Sequence, residues 1–238
     1  MVSTASQSGG TGLTSVPAPV VARMPGYLQA LDELAAAGQQ TVSSEELAGR
    51  CSVGSAILRR DLSHLDFAGR RGVGYDTVAL GTAVRRFLGL DRTRRIAIAG
   101  AGRLGSAIAD YAAVRFSGFE LTAVFDTAPE VVGTTVGGAP VLPIEQLPAA
   151  AAEDGIEMLI IAVPAPAAQT VAEAAVAAGI TGLLNFAPTM VTVPEGVHVR
   201  HVDLASELRV LAHYTAPAQP AGIDSTDLRN TRPREHAL

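Results

Sequence analysis

Three glycines with the spacing Gly-x-Gly-x-x-Gly stand where an apolar run typical of a β-strand gives way to a helical pattern. The run covers residues 95–99, and the glycines are Gly100, Gly102 and Gly105. The first glycine permits a tight turn, the second lets backbone N–H groups approach a pyrophosphate, and the third lets the helix pack close to the strand. We therefore predict a strand, a turn that binds phosphate, and a helix whose N-terminus faces the anion.

A carboxylate follows the glycines at the distance that a dinucleotide site requires. The next β-type run ends at Asp126, about 20 residues beyond the glycines, where the ribose of an adenosine lies in such sites. A carboxylate accepts hydrogen bonds from the ribose 2′-OH and repels a 2′-phosphate, so Asp126 favours NAD(H) over NADP(H). The alternative is a glycine-rich turn that binds nothing; the strand, the spacing and Asp126 together favour the cofactor site.

Later stretches predict the rest of a parallel sheet. Residues 133–138 are expected to form a loop around the adenine end, and the continuous apolar run 156–164 a strand buried on both faces, ending at the ligand crevice. A helix over 165–178 precedes a strand that carries Asn185 towards the nicotinamide. The predicted cofactor-binding residues are Gly100, Gly102, Arg103, Leu104, Gly105, Asp126, Val163, Pro164 and Asn185.

A basic segment lies in an otherwise acidic chain. Residues 50–71 hold five arginines and two aspartates, a local net charge of +3, whereas the whole chain carries −5. All 18 basic residues of the chain are arginines. A local basic patch on an acidic protein indicates a polyanion as the partner of that segment.

Two short helical patterns joined by a tight turn begin just before this basic segment and extend into it. Ser43 stands three residues before Glu46, which is the spacing of a capping box, and a second cap is expected within residues 52–55. In the second pattern Leu58 and Leu62 share one face, and arginines lie on the opposite face. This arrangement is typical of a helix-turn-helix unit.

Residues 67–76 alternate glycine with basic and β-forming residues, which predicts a hairpin, or wing, beside the two helices. Its tip is expected to place an arginine in a minor groove, while the helix faces the major groove or the phosphates. The alternative is a three-helix domain with a solvated basic face. The predicted DNA-binding residues are Ser43, Ser55, Arg59, Arg60, Ser63, Arg70 and Arg71.

The composition limits the remaining classes. The 238 residues are 48% hydrophobic, enough for two small domains with real cores, and no apolar run approaches the length of a membrane span. With no signal peptide in the first 20 residues, we expect a cytoplasmic protein that binds no membrane. The single cysteine, Cys51, excludes an internal disulfide, and the histidines at 198, 201 and 213 are interpreted as solvated, so no metal site is predicted.

With both halves considered, the chain resembles Rex, the bacterial redox-sensing transcriptional repressors that respond to the NADH/NAD balance. The resemblance extends from about Arg23 to Tyr214. Its strongest blocks are residues 41–47, 58–63, 71–75, 183–188 and 202–204.

The resemblance implies an α/β fold with an N-terminal winged helix-turn-helix domain, a C-terminal Rossmann domain, and a homodimer in which the last helix is swapped between partners. It also implies that NADH binding closes the dimer, so that the recognition helices no longer match major grooves about 34 Å apart on a palindromic operator of two half-sites. Composition predicts disordered tails over residues 1–20 and 215–238, a helical pattern begins at Met24, and residues 91–94 are expected to form a hinge. Between the tails, the implied organisation is a DNA-binding domain over 21–90, an NAD(H)-binding Rossmann domain over 91–203 and a swapped helix over 204–214.

The family's redox relay joins a tyrosine after the glycines, an aspartate before the swapped helix and an arginine in the first helix. Tyr111 and Asp203 match the first two positions, but Gln29 stands where the family has arginine. Ile57 and residues 66–70 also depart from the usual pattern of the family. These departures indicate a retuned switch and a different operator.

Two other functions compete with this interpretation. A small NAD-dependent oxidoreductase with an accessory N-terminal domain is disfavoured, because hydride transfer normally requires an acid or base near the nicotinamide. The crevice segments 162–166 and 185–189 contain no His, Lys, Asp, Glu or Tyr. A CoA-binding Rossmann protein is disfavoured because Asp126 suits the ribose of a dinucleotide. We therefore expect no enzymatic activity.

Overall fold

Three clusters of buried apolar side chains define the architecture of the computed structural model, which describes residues 16–70 and 72–216. One cluster forms the core of an N-terminal domain, and the other two lie on the two faces of a sheet in a C-terminal domain. Within the described ranges, no helix has the length and apolarity needed to cross a membrane. Residues 1–15 of the predicted tail 1–20, residues 217–238 of the predicted tail 215–238, and Arg71 lie outside the described residues.

In the described part of the N-terminal domain, four helices pack with a short two-stranded sheet. Its core packs Tyr27 and Leu31 of the first helix against Leu58 and Leu62 of the third. The elements are α1 (Ala18–Ala36), β1 (Thr41–Val42), α2 (Ser44–Arg50), α3 (Ser55–Leu62), β2 (Tyr75–Asp76) and α4 (Thr77–Phe87).

Helix α1 begins earlier than the sequence pattern indicated. We predicted a helix from Met24 and assigned residues 1–20 to a tail, yet α1 starts at Ala18, just after Pro17. Val20 and Met24 are both buried in the core of the domain. Burial of Val20, one turn before Met24, therefore extends the helix into residues that their composition had assigned to the tail.

The predicted wing is much shorter than a regular hairpin. Among the described residues of 67–76, a single antiparallel bridge joins Arg70 and Gly74, and β2 pairs instead with β1. Gly74 has a φ of +98°, and a Cβ at this position would collide with the carbonyl of Val42. The chain therefore passes so close to β1 that Tyr75 enters that strand's ladder rather than extending the wing.

A seven-stranded sheet organises the C-terminal domain, in the order β5-β6-β4-β3-β7-β8-β9. All neighbouring strands are parallel except the pair β5 and β6. The elements are β3 (Arg94–Ala99), α5 (Arg103–Arg115), β4 (Phe119–Asp126), β5 (Thr135–Val136), β6 (Ala139–Pro143), α6 (Leu147–Asp154), β7 (Met158–Ile161), α7 (Ala165–Ala177), β8 (Gly182–Asn185), β9 (His198–His201) and α8 (Leu204–Thr215).

The strand order reverses at β3, which has β4 on one side and β7 on the other. In open parallel sheets, ligands bind beyond the carboxyl ends of the strands at such a switch point. The topology therefore places the glycine turn after β3, the end of β4 and the end of β7 around one crevice. This is the doubly wound arrangement that the sequence predicted.

Two expectations for this domain are corrected. Residues 133–138, predicted as a loop, belong partly to a tight hairpin in which Gly137 and Gly138 both have positive φ, as a two-residue type I′ turn requires. Strand β6 then pairs in parallel with β4. The strand predicted over 156–164 is only Met158–Ile161, because Pro164 already caps helix α7.

Helices cover the two faces of the sheet unequally. Helices α6 and α7 cover one face, whereas α5 covers only part of the other. The uncovered part holds an apolar cleft of about 430 Å³ between β3, β7, β8 and β9. Helix α8 has no buried residue within the described chain, and its exposed apolar side chains are Leu204, Leu208, Val210, Leu211 and Tyr214.

Candidate functional site

The first and third glycines of the turn are required by close backbone packing. Gly100 has a φ of +105°, and a Cβ there would lie 2.5 Å from the carbonyl oxygen of Ala162, at the end of β7. A Cβ on Gly105 would overlap the carbonyl oxygen of Gly100. The turn therefore brings β3, β7 and the first turn of α5 closer together than any side chain would permit.

The second glycine lies in open space instead. Gly102 is the N-cap residue of α5, and among the described residues nothing lies within 4 Å of its Cβ position. Arg103 and Leu104 begin the helix and are exposed. The first N–H groups of a helix have no intrahelical acceptor, so this exposed N-terminus suits a phosphate.

Asp126 ties the end of β4 to the glycine turn. Its Oδ2 accepts a hydrogen bond from the Ala101 N–H at 2.6 Å, and its Oδ1 accepts from the N–H groups of Thr127 and Ala128 at 2.7 and 2.8 Å. The carboxylate is half-buried at the mouth of the crevice. Because each carboxylate oxygen has two lone-pair sites, acceptor capacity is left for a ribose hydroxyl.

The two later segments border the same crevice in different ways. Val163 packs against Gly100, with Cγ1 3.2 Å from the Cβ position of that glycine, and Pro164 begins α7. Asn185 is fully buried; its Oδ1 accepts from the Ala187 N–H at 3.0 Å and its Nδ2 donates to the Thr189 carbonyl at 2.7 Å. It holds the loop after β8, and its contact with a nicotinamide stays a prediction.

The helix-turn-helix unit presents the polar residues that the sequence assigned to DNA. The Ser43 Oγ accepts from the Glu46 N–H at 3.0 Å, so the predicted cap of α2 is confirmed. The second cap is not present, because Gly54, which has no side chain, occupies the N-cap position of α3 and Ser55 is already helical. Arg59 and Arg60 are exposed on α3, away from the buried leucines, and Ser63, the C-cap residue of the helix, is exposed as well.

Two polar residues of α2 bind Arg59, and this contact was not predicted from the sequence. The Arg59 Nη1 donates to the Ser44 Oγ and to the Glu45 Oε1, both at 3.0 Å. These residues line a cavity of about 470 Å³ that extends to Arg70 and Tyr75 beside the short wing. The arginines at 59 and 70 thus border one concave surface. Arg71, predicted at the wing tip, lies outside the described residues.

A buried charged network joins α1 to α3, and it too was missed. Asp61 is 1% exposed and accepts from Arg23 Nε and Nη2 at 2.6 and 2.8 Å and from the Tyr27 hydroxyl at 2.7 Å. The hydrogen bonds from Arg23 hold the pKa of Asp61 below its usual range. Burial, followed by the bond to Asp61, raises the pKa of Tyr27 to about 12.

The three relay positions lie on separate elements of the chain. Tyr111 is exposed on α5, with its ring 5.7 Å from that of Phe116, and the exposed Gln29 donates to the Glu33 carboxylate at 3.1 Å. Asp203 caps α8, and its bond with the Ser206 hydroxyl lowers its pKa. Within residues 16–70 and 72–216, no hydrogen bond joins Tyr111, Gln29 and Asp203 to one another.

A groove of about 580 Å³ separates α1 from the C-terminal domain. Its apolar lining includes Leu28, Leu88, Leu90 and Phe119, and Gln29 lies in its wall. The connection between the domains is anchored at its end, because Arg92 donates to the Glu157 carboxylate at 2.7 and 2.6 Å and Arg94 lies 3.2 Å from it. Residues 91–94, predicted as a hinge, are therefore held to the sheet from Arg92 onwards.

A helix-turn-helix unit with exposed arginines, attached to a dinucleotide-binding fold, defines a ligand-responsive regulator that binds DNA. Two family models match the two parts: one described as "Putative DNA-binding protein N-terminus" over residues 15–63, and one described as "CoA binding domain" over residues 91–189. Together they divide the chain into the same two parts as the structure. The second description names a different ligand from the one that Asp126 favours.

Relatives that match both halves decide the family. The redox-sensing transcriptional repressor Rex of Streptomyces coelicolor is 46% identical over 199 residues, which cover 84% of this chain and 77% of that protein. The protein of the same name from Bacillus licheniformis is 37% identical over 84% of this chain and 94% of its own. The chain therefore belongs to the Rex family of redox-sensing transcriptional repressors, and the identification made from sequence is confirmed. It is a regulator and not an enzyme.

Solved structures support the same assignment. The crystal structure of RSP, a Rex-family repressor, in complex with β-NAD⁺ and operator DNA matches with a TM-score of 0.79 and 33% identity over 84% of this chain and 93% of that one. RSP in complex with β-NADH matches with a TM-score of 0.75. The fold predicted from sequence, a DNA-binding domain followed by a Rossmann domain, is confirmed at this level.

Proposed function

We propose that this chain represses transcription as a homodimer that binds a palindromic operator and releases it when NADH replaces NAD. The observation that carries the proposal is the presence, in one chain, of an exposed α5 N-terminus beside Asp126 and an exposed arginine face on α3. A relative of the same fold binds NAD⁺ with operator DNA in one structure and NADH in another. Such a protein acts in the cytoplasm, where the chromosome lies.

The cofactor occupies the crevice between β3, β4 and β7. Its pyrophosphate lies at the α5 N-terminus over Gly102, the position that the chain leaves open. Its adenosine ribose donates hydrogen bonds to Asp126, and Val163 and Pro164 border the path towards the nicotinamide. The bound NAD or NADH supplies the redox signal, and this chain's residues bind and orient it.

Two unequal surfaces support the homodimer. Helix α8 exposes five large apolar side chains, and the sheet leaves an apolar cleft that shares Phe119 with the groove beside α1. Both are lined largely by apolar side chains, which suits the apolar face of an amphipathic helix. We infer that α8 of a second copy covers them, and that the partner's Asp203 then lies near Gln29 and links the cofactor to the DNA-binding domain.

The DNA surface consists of α3 and the short wing. A dimer presents two copies of α3, which match major grooves about one helical turn, or 34 Å, apart. Arg59 and Arg60 then face the major groove or phosphates, and Arg70 and Arg71 the adjacent minor groove. Release requires only that NADH stabilise a dimer whose two α3 helices no longer have this spacing.

A titration of a DNA complex tests the proposal. An operator is first selected from a random duplex library with the parent protein in the presence of NAD, and the complex is then titrated separately with NADH, NAD and NADPH. We expect NADH to release the DNA at concentrations at which NAD and NADPH do not. Equal effects of NADH and NAD would show that the protein does not sense the redox state, and failure to select any sequence would contradict operator binding.

A further inference from the structure

The exposed DNA surface contains a carboxylate, which is unfavourable for binding a polyanion. Glu45, in the first turn of α2, approaches Arg59 of α3 to 3.0 Å, and both side chains are largely exposed. The Ser44 hydroxyl lies between them, because it accepts a hydrogen bond from the Arg59 Nη1 and donates one to the Glu45 Oε2 at 3.2 Å. Arg59 is thus already paired with the Glu45 carboxylate on the surface proposed to contact DNA phosphates.

Within the described chain, only one of the three guanidinium nitrogens of Arg59 donates hydrogen bonds. A guanidinium has five N–H donors, and both hydrogen bonds of Arg59 within the described chain use Nη1. Nε and Nη2 are left as a planar pair of donors. Such a pair matches the O6 and N7 acceptors of guanine in the major groove.

Binding to DNA without sequence preference depends on phosphate contacts by basic side chains, whereas sequence is read at base edges. A phosphate that approaches Arg59 competes with the Glu45 carboxylate and is repelled by its charge. A guanine edge is uncharged and contacts the remaining donor pair while Glu45 and Ser44 keep their bonds. The carboxylate therefore opposes the phosphate contact more strongly than the base contact.

We propose that Glu45 is a specificity-determining residue, an internal competitor for Arg59 that weakens binding to arbitrary DNA more than binding to the operator. This inference rests on the proposed function, because it requires that the chain read an operator. It assigns to a residue of α2, outside the recognition helix, a part in the discrimination between sequences.

The neighbouring residue provides a matched control. Glu46 is also in the first turn of α2, and its carboxylate contacts Gln39 at 3.0 Å and Arg50 at 3.9 Å instead of Arg59. Glu45→Gln and Glu46→Gln therefore remove the same charge from the same helix end, with an equal effect on the helix dipole. Only the first substitution changes the partner of Arg59.

The experiment compares parent, Glu45→Gln and Glu46→Gln on the selected operator and on a scrambled duplex of equal length, each at several salt concentrations with NAD present. We expect Glu45→Gln to raise affinity for the scrambled duplex and lower the ratio of operator to scrambled affinity about threefold relative to Glu46→Gln. The affinity of Glu45→Gln for the scrambled duplex should depend more steeply on salt concentration, by about one unit of logarithmic slope, because Arg59 then neutralises a phosphate. Ser44→Ala, a second variant, should lower the ratio by a smaller factor.

Thermal melting curves accompany the binding measurements, so that a folding defect is recognised. Equal ratios for Glu45→Gln and Glu46→Gln, with NADH release intact, would overturn the role of Glu45 and leave the proposed function standing. A loss of affinity by Glu45→Gln that is equal on both duplexes would also overturn it. A parent protein that prefers no sequence would overturn the proposed function and this inference with it.

Discussion

The Tyr27 hydroxyl of helix α1 donates a 2.7 Å hydrogen bond to the buried Asp61 carboxylate of helix α3. Arg23, one turn earlier on α1, donates two more to the same carboxylate. Helix α1 also forms one wall of the groove between the domains. The network therefore fixes α3 to the helix that faces the C-terminal domain, so that α1 and α3 move together.

Removal of single members of this network should reveal its contribution to stability. Tyr27→Phe keeps the ring in the core and removes one buried hydrogen bond, so we expect a loss of about 1 kcal/mol in the free energy of unfolding. Asp61→Asn should cost more, because it leaves the Arg23 guanidinium without its charged partner. Urea denaturation measures the free energy of unfolding of both variants and shows which loses more. An Asp61→Asn variant as stable as the parent would contradict the stabilising role of the network.

The Asp61 carboxylate also makes the stability depend on pH. Its pKa is lowered in the folded protein, chiefly by the hydrogen bonds from Arg23, so the unfolded chain binds the proton more readily. This contribution to stability is fully present above the unfolded pKa of about 4 and is lost as the pH falls through the folded value. We expect unfolding midpoints measured from pH 6 to pH 3 to fall less steeply in Asp61→Asn than in the parent.

Two alanine substitutions in the glycine turn should separate folding from cofactor binding. Gly102→Ala adds a methyl group in open space, so its melting temperature should match that of the parent while NADH binding weakens at least tenfold. Gly105→Ala forces a methyl group onto the Gly100 carbonyl and should lower the melting temperature. Calorimetry and thermal melting measure both properties. Unimpaired NADH binding by Gly102→Ala would mean that the pyrophosphate lies elsewhere.

Asp126 should determine the choice between the two nicotinamide cofactors. We expect the parent protein to bind NADH far more tightly than NADPH, and Asp126→Ala to narrow that difference, because the repulsion of the 2′-phosphate is lost. Some affinity for NADH should also be lost, since the carboxylate holds the Ala101 N–H of the turn. Glu130→Ala, at an exposed acidic residue of the following loop, serves as the control for net charge. Equal affinity of the parent for both cofactors would contradict the assignment.

The sequence contained the signals for the cofactor crevice and for the faces of the helices, because these follow from local rules. Three glycines and Asp126 specify backbone turns and a strand end, and a recurring leucine specifies the buried side of α3. The Gly137-Gly138 pair was also a hairpin signal, since both residues adopt positive φ in a two-residue turn, but it was interpreted as a loop.

The charged networks could not be predicted in the same way. Arg23 and Asp61 are 38 residues apart in sequence, and Arg59 and Glu45 are 14 apart. No periodicity relates such pairs, because the tertiary packing of α1, α2 and α3 brings them together. The short wing also depends on tertiary packing. Gly74 lies against the backbone of β1, so Tyr75 pairs with that strand and not with the hairpin.

Gln29 provides a test of the proposed relay. In a homodimer with α8 exchanged, an arginine introduced at this position would pair with the partner's Asp203 in the DNA-bound form, whereas Gln29 supplies that carboxylate with no charged partner. A charged pair shifts such an equilibrium by about 1 to 3 kcal/mol, so we expect Gln29→Arg to raise operator affinity with NAD and to increase the NADH needed for release. Gln39→Arg, on the loop before β1, adds the same charge as a control. Identical NADH midpoints for the parent and Gln29→Arg would exclude position 29 from the switch.

The exposed face of α8 should control the oligomeric state. Leu211→Asp places a charge on the apolar face proposed to enter the second copy, so we expect the variant to sediment as a monomer. Val78→Asp, at an exposed apolar residue of α4, should leave the parent's oligomeric state unchanged. Analytical ultracentrifugation compares the two variants, and a dimeric Leu211→Asp protein would show that α8 is not the dimer contact.

The anchoring of the interdomain connection at Glu157 has a mechanical consequence. Helix α4 ends at Phe87 and the anchored segment starts at Arg92, so residues 88–91 connect the two domains. The N–H groups of residues 88–90 still donate to carbonyls of α4, which shortens the connection further. At about 3.5 Å per residue, such a tether allows little translation of one domain away from the other. Rotation about it remains possible, and it carries α3 along because Asp61 of α3 is bound to Arg23 and Tyr27 of α1. The short connection thus favours rotation of the domains over their separation, and α3 takes part in that rotation.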